Sequence, residues 1–163
     1  MPRNDLIEMY AKWFVGQLRK SCTGSSKEFD LIIPSEDLYK LDHKALTTHQ
    51  TSYLWRFRPS ALVVELDDER SSYSFHVLLA VSKAIALKDV GELNCYTRLM
   101  DAKSGCIISP KGISNEVRLV QAESSIRDRL FGTAHEPNMF LIQWDTKSNS
   151  VLENTVIPID TKI

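Results

Sequence analysis

The stretch that decides the fold runs from Lys83 to Gly112 and reads KAIALKDVGELNCYTRLMDAKSGCIISPKG. It predicts, in order, a strand end, a capped helix, a glycine stop, a buried strand and a turn. Asp89 is the expected N-cap, Glu92 occupies the capping-box position, and Gly105 is the expected left-handed stop. We therefore expect a sheet that packs against helices.

The flanking sequence continues this alternation of strand and helix. Residues 4–20 have the apolar spacing of an amphipathic helix. Further strands are predicted at 29–33, 61–66 and 75–81, a strand edge at 53–57, a helix at 116–131, and a final hairpin from 139–144 and 151–157. The pattern predicts an α/β fold with a mixed central β-sheet flanked by helices.

Composition sets the limits on function. The 163 residues are 43% hydrophobic with a net charge of -1, which predicts one domain over 1–163 and no global attraction to nucleic acid or membranes. No apolar run is long enough for a membrane span. The three cysteines lack CxxC spacing and the four histidines are scattered, so we expect free thiols in a reducing cytoplasm and no zinc site.

A hairpin precedes the deciding stretch and carries a partial motif. Pro59-Ser60 opens its first strand, and Val81-Ser82-Lys83 closes its second. Glu92-x-x-x-Tyr96 follows on the helix, and GCIISP follows on the next strand. In this order, residues 58–112 resemble the PD-(D/E)xK nuclease superfamily, with its restriction-endonuclease-like core.

The resemblance implies a metal site that this sequence does not reproduce. In that family, two acids on the hairpin hold Mg²⁺, which activates water beside a lysine. Here Ser60 and Val81 stand at the acidic positions, whereas Lys83 is kept. The first hypothesis is therefore a nucleic-acid-binding domain, for DNA rather than RNA, or a subunit of a processing assembly. Its candidate phosphate contacts are Arg56, Arg58, Lys83, Lys88, Lys103 and Lys111.

Two alternatives stay open. One is an active Mg²⁺- or Mn²⁺-dependent nuclease with a rearranged site. Its catalytic residues would be Glu65, Lys83, Glu92 and Tyr96, and its metal ligands Glu65, Asp30 and Glu8. The other is a structural or partner-binding domain, such as a homodimer, that offers the final hairpin to its partner.

Simpler interpretations compete with every candidate residue. Glu65 precedes further acids, which favours a position at a solvated strand end. Lys83 is simply explained as a residue at the exposed end of its strand. Glu92 is explained by helix capping alone. His76 is expected to face an exposed or hydrogen-bonded side of its strand rather than to act as a base.

Overall fold

The computed structural model describes residues 3–22, 26–123, 125, 138–152 and 157–158. Its helices are α1 (Arg3–Ser21), α2 (Lys44–Thr47), α3 (Leu87–Leu99) and α4 (Asn115–Ala122). Its strands are β1 (Lys27–Ile32), β2 (Ala61–Asp67), β3 (Ser72–Ala80), β4 (Ser104–Ser109), β5 (Asn138–Asp145), β6 (Ser150–Val151) and β7 (Ile157–Pro158). The predicted α/β architecture with a mixed sheet is confirmed.

The sheet has an antiparallel half and a parallel half. Strands β1 to β6 lie in chain order, and β7 pairs with β5 beside this path. β1, β2 and β3 form an antiparallel meander, whereas β3, β4 and β5 are parallel. α3 connects β3 to β4, because a parallel pair requires a crossover.

Each face of the sheet buries its own apolar cluster. α1 covers the first face with Tyr10 and Phe14, which belong to the same cluster as Val63, Leu78 and Ile108. α3 and the segment 38–57 cover the second face. Its cluster includes Leu93, Trp55, Leu62, Val77 and Ile107. Alternate residues of one strand therefore belong to different layers, as the two-residue period requires.

The ends of α3 differ from the prediction. Asp89 lies inside the helix, and its carboxylate accepts the Ala86 N–H at 2.8 Å. Asp101, with φ of 50°, takes the left-handed position that the sequence pattern predicts for Gly105. Gly105 lies in β4, where an added Cβ would come within 2.9 Å of the Leu93 and Thr97 side chains. Its small size thus permits the close approach of α3 to the sheet.

Other predicted elements have mixed outcomes. The predicted strand at 29–33 is confirmed as β1, and the turn of the final hairpin lies between β5 and β6. The predicted strand edge at 53–57 is wrong, since a 3₁₀ turn spans Ser52–Leu54 and leads to buried Trp55. α4 ends at Ala122; the predicted continuation to 131 lies largely outside the described residues. No helix among the described residues is long and apolar enough to cross a membrane.

Candidate functional site

A carboxylate is buried at one end of the α1 face. Glu65 of β2 is only 3% exposed. Its Oε1 accepts from Lys27 Nζ at 2.6 Å and from Lys103 Nζ at 2.9 Å, and its Oε2 lies 2.9 Å from His76 Nε2. The interpretation of Glu65 as a solvated strand end is therefore wrong. We call Lys27, Glu65, His76, Lys103 and Ser104 the carboxylate network.

Strand register assembles the network. Val63 of β2 lies opposite His76 of β3, which in turn lies opposite Ser104 of β4. Glu65 is two residues beyond Val63, so its side chain emerges on the same face, diagonal to His76. The hydrogen-bonded environment expected for His76 is confirmed.

The proton positions in the network follow from its charges. Burial alone would raise the pKa of Glu65, but hydrogen bonds from Lys27, Lys103 and His76 outweigh burial and lower it to about 2. The ionised carboxylate only accepts, so His76 Nε2 carries the proton. His76 Nδ1 then accepts from Ser104 Oγ at 2.7 Å. Burial lowers the pKa of His76, which favours the neutral imidazole.

A cleft of about 780 Å³ opens beside this network. Glu65, His76, Lys103 and Ser104 form its polar end. Its other described walls come from the C-terminal half of α1, from β4 and β5, and from the start of β6. They include Trp13, Phe14, Leu18, Lys20, Phe140, Ile142, Asn149 and Val151.

Neutral hydroxyl groups lie at the opposite end of the β2–β3 hairpin, where β2 begins and β3 ends. Ser60 Oγ, where the resemblance would require the first acid, accepts the Ala80 N–H at 2.8 Å. Ser109 Oγ, at the end of β4, donates to the Lys83 carbonyl at 2.6 Å and accepts the Lys111 N–H at 3.0 Å. The buried Ser109 side chain thus holds two lysine-bearing turns together.

Cations and helix starts gather at this end of the sheet. A parallel bridge between Ile85 and Ile113 sets the beginnings of α3 and α4 side by side. Ser114 caps α4 by accepting the Val117 N–H at 3.3 Å. We call the exposed side chains beside them the basic edge: Arg58, Lys83, Lys88 and Lys111.

Two of the six predicted phosphate contacts, Arg56 and Lys103, lie outside the basic edge. Lys103 and Lys111 are at opposite ends of β4, a six-residue strand. The two ends of such a strand are about 17 Å apart. The Arg56 guanidinium lies 5.1 Å from the Tyr39 ring centroid, within cation–π range. Arg58, which belongs to the basic edge, donates to the Ser35 carbonyl at 2.7 Å and remains exposed.

Glu92 and Tyr96 form a pair of their own on α3. The Tyr96 hydroxyl donates to Glu92 Oε1 at 2.6 Å. The Tyr96 ring stacks on Phe57 with centroids 4.2 Å apart. Burial, and then the bond to Glu92, raises the pKa of Tyr96. The capping interpretation of Glu92 is wrong, because Asp89 performs that role.

The acids of the rearranged nuclease site are not brought together. Glu8 on α1 and Glu92 on α3 lie on helices that cover opposite faces of the sheet. Asp30 is exposed, 3.4 Å from His43. Glu65 lies opposite Ser74, six residues before β3 ends at Ala80, so about 20 Å of strand separates it from the Lys83 end.

The candidate acids among the described residues do not form a site for a divalent metal. A hard cation needs carboxylate oxygens, but Ser60 and Val81 supply none at the motif positions. Both oxygens of Glu65 already face cationic or imidazole donors, and nearby ammonium groups repel Mg²⁺. Among the described residues, no group of three His, Cys, Asp or Glu side chains is arranged to hold a metal ion.

The function has to be argued from the carboxylate network and the basic edge, because comparison with known proteins identifies no relative. No family model and no curated protein matches this chain.

Sequence reasoning selected Glu65 and Lys103 but missed Lys27 and Ser104 as their neighbours. The two-residue period that places Val63 inside also places Glu65 inside, and that signal was present in ALVVEL.

Proposed function

We propose that this chain binds DNA through the basic edge, without metal and without cleaving the phosphodiester backbone. The observation that carries the proposal is the Ser109 side chain, which joins the Lys83 and Lys111 turns. Two cations from separate segments are thereby held at one end of the sheet, where a run of phosphates can meet both.

The location also supports a phosphate-binding role. Ligands of open α/β sheets commonly bind beyond the carboxyl ends of parallel strands. β3 and β4 both end at the basic edge. The first turns of α3 and α4 add the partial positive charge of their N–H groups. Asp89 and Glu116 lie in these first turns and offset this partial charge, so the net attraction comes from the cationic side chains of the basic edge.

The chain order supports the restriction-endonuclease-like class as the origin of this surface. A helix, an antiparallel meander with the motif hairpin, a second helix and a parallel strand follow one another. Lys83 keeps the motif position, whereas hydroxyl and alkyl groups replace the acids. Cations without the metal-binding acids can contact the phosphate backbone but cannot activate water by metal.

The test is binding of a labelled 20-base-pair DNA in EDTA, measured by fluorescence anisotropy over a range of KCl concentrations. The Lys83→Gln/Lys111→Gln double variant should lower the slope of log affinity against log salt by about 2, roughly one per phosphate contact. Lys12→Gln/Lys44→Gln is the matched control, since it removes two exposed lysines outside the basic edge.

Three results would overturn the proposal. The first is undetectable binding at low salt by the wild-type protein. The second is an equal loss of slope in the control pair, which would reveal diffuse attraction only. The third is cleavage of the DNA after addition of Mg²⁺ or Mn²⁺, which would restore the nuclease hypothesis.

A further inference from the structure

The carboxylate network carries more positive than negative charge. Lys27 and Lys103 both contact Oε1 of Glu65, at 2.6 and 2.9 Å. His76 is held neutral by burial. Two ammonium groups therefore face a single carboxylate, which leaves one positive charge beside the cleft. An ammonium group has three donors, and Glu65 receives at most two from Lys103.

Lys103 is placed to meet a ligand. Its side chain lines the cleft and is 51% exposed, although its ammonium group is anchored on buried Glu65. Lys20, at the C-terminal end of α1, lines the same cleft and is exposed. An anion at the polar end of the cleft would meet Lys103, whose ammonium group is already held in position. Lys20 adds a second cation to the lining of the same cleft.

Much of the remaining lining is apolar, although Gln17, Ser21, Asn149 and Ser150 also reach the cleft. Trp13, Phe14 and Leu18 supply one wall from α1, and Phe140 and Ile142 supply another from β5. The volume of about 780 Å³ lies within the range of small-molecule sites. Nucleic acid does not match this lining, because a backbone groove needs a continuous cationic track rather than apolar walls.

We propose that this cleft binds a small carboxylate with an apolar body, an acyl or aryl acid. The carboxylate lies at Lys103, and the apolar body packs between α1 and β5. The site is separate from the basic edge, at the other end of β4, and does not depend on DNA binding.

The first test uses 8-anilinonaphthalene-1-sulfonate as an aromatic anionic probe. Trp13 lines the cleft, so tryptophan excitation should produce saturable energy transfer to the bound probe. Octanoate should displace the probe, whereas octylammonium of the same chain length should not. Equal displacement by octanoate and octylammonium would show that the probe adsorbs through apolar contact only. Displacement by inorganic phosphate but not by octanoate would show that the site recognises a simple anion and no apolar body. Either result overturns the proposal.

The second test assigns the charge. Lys103→Gln should weaken octanoate binding about tenfold, the effect of losing one charge-assisted contact. Lys103→Arg should restore most of the affinity, and Lys83→Gln should leave it unchanged because Lys83 lies at the basic edge. Circular dichroism confirms that each variant is folded. Unchanged octanoate affinity in folded Lys103→Gln would contradict the assignment.

Discussion

The two ends of the β2–β3 hairpin use polar groups in opposite ways. At one end, Glu65 is buried and gathers the ammonium groups of Lys27 and Lys103 around itself. At the other, Ser60 and Ser109 bind backbone groups, and their hydroxyls leave the neighbouring cations in solvent. A buried charge ties its partners to the fold, whereas a neutral hydroxyl fixes the backbone and leaves surface charge available for a ligand.

The largest effect expected from this contrast is the loss of the Glu65 charge. Glu65→Gln keeps the shape but leaves Lys27 and Lys103 without their anion and changes the acceptor for His76 Nε2–H. Breaking a buried ion pair on one side costs about 3 kcal/mol or more. Urea unfolding at pH 7, followed by tryptophan fluorescence, should show a loss of about that size.

Glu92→Gln is the matched control for that measurement. Glu92 is exposed on α3, and glutamine can still accept from the Tyr96 hydroxyl. Its cost should stay within about 0.5 kcal/mol, as for other surface changes. Equal costs for Glu65→Gln and Glu92→Gln would contradict the special role of the carboxylate network.

Acid should weaken the same end of the hairpin selectively. The pKa of Glu65 is lowered from 4.5 to about 2 in the folded protein, so its contribution is complete above pH 4.5 and is lost as the pH falls toward 2. The pKa of His76 is lowered from 6.5, so its neutral form also favours folding above that pH. Both contributions therefore decline on acidification.

The acid effect can be assigned to Glu65 by comparing two titrations. The free energy of unfolding of the wild type should fall by about 2 kcal/mol at pH 3 through this group alone. Glu65→Gln should lack that component, so the two stability curves should converge between pH 4.5 and 3. Parallel curves over this interval would show that Glu65 titrates normally in the folded protein.

The sequence reveals the elements of the two ends more readily than their contacts. ALVVEL and FHVLLAV have the near-continuous apolar character of strands covered on both faces, and both strands were predicted. Local patterns also located α3, although Asp89 and Gly105 received the wrong roles. Asp89 bonds from inside the first turn, and Asp101 replaces glycine at the helix stop. Both errors come from local chemistry that more than one residue can satisfy.

The carboxylate network depends on the pairing register of the strands, which local sequence patterns do not reveal. Lys27, Glu65 and Lys103 are each separated by 38 residues in the sequence and meet only after four strands have aligned. The acids following Glu65 suggested solvent, but the pleat turns Glu65 inward with Val63. The basic edge was easier to predict in part, since Lys83 and Lys111 both adjoin predicted strand ends.

The smallest effect is expected for Ser109→Ala, a change at the basic edge whose consequences for stability and for DNA binding can be measured separately. Ser109→Ala removes a fully buried hydroxyl and leaves the Lys83 carbonyl and the Lys111 N–H without this partner. We expect a cost of about 1–2 kcal/mol in urea unfolding. Ser60→Ala should cost less, because Ser60 is partly exposed and water can replace its hydroxyl.

Ser109→Ala should also weaken DNA binding although it removes no charge. Lys83 and Lys111 remain, but their turns lose the hydrogen bonds to the Ser109 hydroxyl that order them. More conformational entropy is therefore lost when the turns bind DNA. Affinity for the 20-base-pair DNA should fall, while the salt slope should stay unchanged because the number of phosphate contacts is the same. A lower slope would mean that Ser109 determines how many cations reach the DNA. Unchanged affinity in a destabilised Ser109→Ala protein would show that the bond serves folding only, and the Lys83 and Lys111 turns would then be independent contacts rather than one ordered surface.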